Sequence, residues 1–187
     1  LRIAYLSTAL HREGNEVIGC QFDACLTGFY SDTLGEYTTL TGCSFRNCTY
    51  AARVAGGNTN FTSCKFTDCV DGLNLVNGPN DSHGLAVGCQ FNHCTFPIDI
   101  NGIDNGYTFQ GCTFYDGTIF LVDCVGVNIL GGQLDVAAYS FNGSLGTIIK
   151  DNLMPGGYAN TVSNNVGGNQ SRTSWLNNRD MTGAIRP

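Results

Sequence analysis

Carboxylates are the groups in this chain best placed to do chemistry. Asp81 and Asp104 stand one repeat apart in a sequence whose motif returns every twenty-odd residues. In a stacked arrangement their carboxyls would lie about 5 Å apart, the separation of a retaining glycosidase. Glu36 stands two repeats before Asp81, at roughly 9–10 Å, closer to the inverting geometry that leaves room for a water. These three are the candidate catalytic residues. Tyr37 and Tyr107 share their loops and offer rings for sugar stacking, and His83 offers an imidazole beside Asp81. A second outward row supplies one residue per repeat: Tyr30, Arg53, Asn74 and Asp99. Arg53 and Asp99 suit the orientation of hydroxyls or a uronate carboxyl. A structural reading stays open for both sets, because Asp and Asn form turns and a polar row is an ordinary solvated face.

Other chemistries fit less well. Asp99-x-Asn101-Gly102-x-Asp104-Asn105-Gly106 has the composition of a calcium loop, but it lacks the alternation and terminal Glu of an EF-hand. Turn chemistry explains it, and neither metal nor cofactor is expected. His93 occupies a turn position and is read as conformational. No Gly-rich phosphate loop opens a helix. The net charge of −6 and pI near 4.7 oppose nucleic acid and anionic lipid, which reward a basic face. No apolar run is long enough to span a bilayer.

The scaffold that positions these residues is written in a repeat. Gly19-Cys20-x-Phe22-x-x-Cys25 recurs at Gly42–Cys48, Ser63–Cys69 and Gly88–Cys94. A fifth copy, Gly111-Cys112-x-Phe114, has Gly117 in place of its second cysteine, and a degenerate sixth is Ile129-x-Gly131-Gly132-x-Leu134. The first cysteines are 23, 21, 25 and 23 residues apart. Cys43 and Phe45 alternate with Ser44, as in a strand with one buried face. The residue before each second cysteine is Ala24, Asn47, Asp68 or His93, with Asp116 before Gly117 in the fifth copy, mostly types that tolerate positive φ. Three short strands and three bends per repeat describe a coil of a parallel β-helix.

Stacking then places Phe22, Phe45, Phe66, Phe91 and Phe114 in one column, with Cys20, Cys43, Cys64, Cys89 and Cys112 in another. The spacing favours reduced core thiols over disulfides or zinc. The β-helix is expected over residues 1–153, clearest over 17–137, with 154–187 as a capping tail. The chain opens in what reads as strand and shows no leader. It is therefore read as a piece of a longer protein, with any targeting signal outside it.

The stretch Gly42 to Cys48, Gly-Cys-x-Phe-x-Asn-Cys, resembles right-handed β-helices of the pectate-lyase-like superfamily. Among them it looks most like bacteriophage tailspike and depolymerase proteins, over about Val17 to Ala137. The resemblance implies a homotrimer in a virion tail or extracellular setting, acting on bacterial surface polysaccharide through outer-groove or intersubunit carboxylates. No catalytic signature transfers residue by residue. Two functions follow: a polysaccharide hydrolase or lyase, or a non-catalytic receptor-binding or structural segment of a tail fibre or adhesin. An ice-binding face would need a Thr-x-Thr array on every coil, and the threonines stop before the fourth.

Overall fold

Two of the bends in each of the first five coils rest on a residue held at positive φ. Gly19, Gly42, Gly88, Gly111 and Gly131 sit at φ of 60–63° and Ser63 at 53° before the first inward position. Ala24, Asn47, Asp68, His93 and Asp116 sit at 52–67° before the second. Between the bends a three-residue strand points its central ring inward, and after the second bend a longer strand begins. The computed structural model describes residues 3–7, 14–33, 35–77, 83–155, 161–163, 174–179 and 185–186. Among these the chain is all β and holds no helix.

Three parallel sheets run the length of the solenoid. Sheet 1 carries the long strands Ile3–Ser7, Thr27–Ser31, Tyr50–Val54, Asp71–Val76, Phe96–Asn101, Thr118–Val122, Ala138–Asn142 and Thr161–Ser163. Sheet 2 runs through Glu16–Ile18, Thr39–Thr41, Thr59–Thr62, Gly84–Val87, Tyr107–Gln110, Asn128–Leu130, Ile148–Lys150 and Ser174–Leu176. Sheet 3 holds Gln21–Asp23, Ser44–Arg46, Lys65–Thr67, Gln90–Asn92, Thr113–Tyr115 and Gln133–Asp135. Its six strands count six coils.

The expected columns are present. Phe22, Phe45, Phe66, Phe91, Phe114 and Leu134 are consecutive Cα partners. Successive phenyl centroids lie 4.7, 5.0, 4.6 and 4.8 Å apart, with planes within 10° of parallel. The strand spacing therefore sets the ring spacing. Cys43, Cys64, Cys89 and Cys112 donate from Sγ to the carbonyls of Val17, Leu40, Phe61 and Ala86 one coil earlier, at 3.3–3.6 Å. All ten cysteines are free thiols, and only Cys20, on the first sheet-3 coil, is exposed. Gly117 replaces the fifth second-position cysteine because a Cβ there would collide with the Cys94 carbonyl oxygen.

The stacking continues beyond Leu153. Gly132, Asn152 and Asn178 follow Cys112 in register, so the thiol column becomes an amide ladder. Asn152 Nδ2 donates to the Ile129 carbonyl at 2.9 Å, and Asn178 Nδ2 does the same to Ile149. Asn152 Oδ1 accepts the Gly132 N–H at 2.8 Å. A side chain at Gly132 would strike the Cys112 carbonyl, which leaves that rung to the amide above. Trp175 packs edge-on against Tyr139 at 5.1 Å. Asn178–Arg179 pairs antiparallel with Ile185–Arg186, the one reversal of direction among the described strands.

Candidate functional site

The outer face of sheet 1 gathers the chemistry. Tyr30, Arg53, Asn74 and Asp99 are Cα partners on adjacent strands, and the row runs on into Phe120 and Ser140. Beside it, Thr27, Tyr50, Asp71 and Phe96 are likewise aligned. Asp71 is the residue that spacing alone overlooked. It begins its strand just before Gly72, where an added Cβ would meet the Pro97 carbonyl at 2.6 Å and the Phe91 ring at 2.9 Å. Residue 72 therefore faces the core, as does Leu73, which is fully buried. That break in alternation leaves Asp71 on the outer side, between Tyr50 and Phe96.

A cleft of about 300 Å³ forms there, lined by Thr49, Tyr50, Val70, Asp71, Phe96, Asp99 and Phe120. Asp71 is only 5% exposed, and no hydrogen bond reaches its carboxylate among the described residues. Loss of hydration is the main force on it, and the nearby Asp99 charge adds to it. Against a smaller pull from Arg53, these push its pKa up to about 6. Asp99 is half-buried and is also raised by burial, but Asn74 Nδ2 donates to its Oδ2 at 2.8 Å and steadies the charge. The two carboxyls thus differ in their surroundings: Asp71 keeps its proton below about pH 6, whereas at Asp99 the Asn74 amide opposes the effect of burial. Arg53 lies over the Tyr50 ring, 5.5 Å from its centroid.

The residues expected from the sequence divide among three places. Arg53 and Asp99 belong to this face. Glu36, Tyr37, His83 and Asp104 lie in segments joining sheet 1 to sheet 2. There Glu36 and His83 are half-buried, Asp104 is exposed, and Tyr37 is 52% exposed at φ +53°. Asp81 lies outside the described residues, so neither of its expected carboxylate pairs is placed. Tyr107 is in the core. It is 1% exposed, and its hydroxyl donates to the Thr59 carbonyl at 2.8 Å. The phenol reaches that carbonyl across Gly84, which pairs with both residues and has no side chain to block it. Enclosed in this way, the ring has no face to offer a sugar.

A second cleft lies at the bend between sheets 3 and 1, where His93 Nδ1 is 3.8 Å from Asp116 Oδ2 beside Tyr115 and Asp135. Both partners there are exposed, so solvent screens the contact. Among the described residues no three His, Cys, Asp or Glu side chains gather as a metal centre. No helix among them is long and apolar enough to cross a membrane. No protein-family model matches the chain, and comparison with curated proteins finds no significant relative.

Proposed function

We propose that this β-helix binds a bacterial surface polysaccharide along the outer face of sheet 1 and hydrolyses it there. Asp71 serves as the proton donor and Asp99 as the charged partner. The observation that carries this reading is the buried Asp71 carboxyl, without a hydrogen bond among the described residues, in a cleft beside a second carboxyl. A carboxylic acid still protonated at mildly acidic pH can give its proton to a glycosidic oxygen. Asp99 then faces the developing positive charge of the sugar or draws a proton from the attacking water. Tyr50, Phe96 and Phe120 supply apolar surface for the sugar rings.

The test is incubation with capsule or lipopolysaccharide, followed by assay of released reducing ends and of unsaturated-uronate absorbance. Asp71→Asn and Asp99→Asn should each abolish release while the fold persists. Because Asp71 acts protonated, turnover should decline as pH rises through about 6. Undiminished product from both variants removes the site. Measurable glycan binding without product supports the second reading, a receptor-binding segment, which the low content of charged residues, 13%, fits as well.

A further inference from the structure

The cleft's lining has one conspicuous lack. Two carboxyls and three aromatic rings converge on about 300 Å³, yet among the described residues no Lys, Arg or His lines it. Arg53 is nearby but exposed, its guanidinium over the Tyr50 ring. Phe96 and Phe120 stand tilted at 5.9 Å between centroids, forming an open angle of ring surface. Asp71, 5% exposed, turns its carboxylate into this space without a hydrogen-bond donor among the described residues. Once ionised, above about pH 6, this buried carboxylate has only the smaller pull of the exposed Arg53 to offset it, which leaves room for a counter-charge from outside.

A polyanionic glycan would meet two carboxylates here and be repelled. A neutral sugar would leave the Asp71 charge unanswered. A positively charged nitrogen satisfies both: the carboxylates attract it and the ring faces hold it by cation–π contact. We propose that this cleft is a binding site for an organic ammonium group, supplied by the free amine of an amino sugar. The ammonium is argued from the cleft alone, whereas its sugar source rests on the glycan reading above.

Titration calorimetry at pH 6.5 and physiological salt separates the two. The probes are a fully deacetylated glucosamine tetramer, its N-acetylated counterpart and choline chloride. The expected result is binding of the deacetylated tetramer and none of the acetylated one. Asp71→Asn should weaken that binding by at least about tenfold. Phe120→Ala, which alters only a half-buried outer ring, should weaken it by about threefold or more. Thermal melts of both variants verify that they are folded. Choline binding without tetramer binding upholds the ammonium site and removes the sugar. Equal binding of the acetylated tetramer, no binding of any probe, or full affinity in the folded Asp71→Asn protein overturns the proposal.

Discussion

Replacing Asp71 by Asn should make this protein more stable at pH 8 and leave it nearly unchanged at pH 4. The wild-type carboxyl moves from an ordinary value of 3.8 in the unfolded chain to about 6 in the fold, which corresponds to about 3 kcal/mol against its ionised form. Between those values the folded protein binds more protons at this site than the unfolded chain does. Stability therefore falls as pH rises through that window, and the loss is complete above pH 6. Asparagine keeps the shape and carries no charge, so it escapes the loss. The gain at pH 8 should be about 2–3 kcal/mol, or about 4–12 °C in melting midpoint for a chain of this length. Near pH 4 both side chains are neutral and the difference should shrink below about 0.5 kcal/mol. Urea denaturation at the two pH values measures both. A variant less stable than wild type at pH 8, or stabilised equally at both pH values, refutes the idea that Asp71 is a buried carboxylate short of compensation.

The core columns give further expectations. Phe66 is stacked on both sides, by Phe45 and Phe91, so Phe66→Ala should cost about 3–5 kcal/mol in a denaturant titration. Asn152→Ala strips the Gly132 N–H of its acceptor and the Ile129 carbonyl of its donor, a loss of about 3 kcal/mol. Asn152→Cys should recover part of that, because Cys112 already donates to the equivalent carbonyl one coil earlier. If Asn152→Cys is no better than Asn152→Ala, the equivalence of thiol and amide rungs is wrong.

The parts of the fold that rest on repetition were legible in the residues. Cysteine and phenylalanine recur at a fixed offset, and the tolerant turn residues Asn47, Asp68, His93 and Asp116 fall where the chain must bend. The outward row Tyr30, Arg53, Asn74, Asp99 follows from the same period. What escaped was what departs from it. Asp71 reads as an ordinary strand residue until Gly72 is seen to face the core. The available signal was a lone acid aligned with Tyr50 and Phe96, next to a glycine matching Gly28. Tyr107 reads as a loop ring because Asn105 and Gly106 precede it, although its i, i+2 relation to Phe109 marks an inward strand position. Asn152 and Asn178 hide the last rungs because an amide replaces the thiol that identified the earlier ones. The loop carboxylates Glu36 and Asp104 carry variable spacing, and sequence period alone cannot aim them.

The register of the coils underlies the site, since it alone sets Asp71 and Asn74 of one strand beside Asp99 of the next. Counting thiols that react with a disulfide reagent, before and after denaturation, tests it most directly. The native protein should label at Cys20 alone, and the other nine should appear only when the chain unfolds. Prompt labelling of Cys43, Cys64, Cys69 or Cys89 in the folded protein would contradict the stacked core and with it the placement of the acid pair.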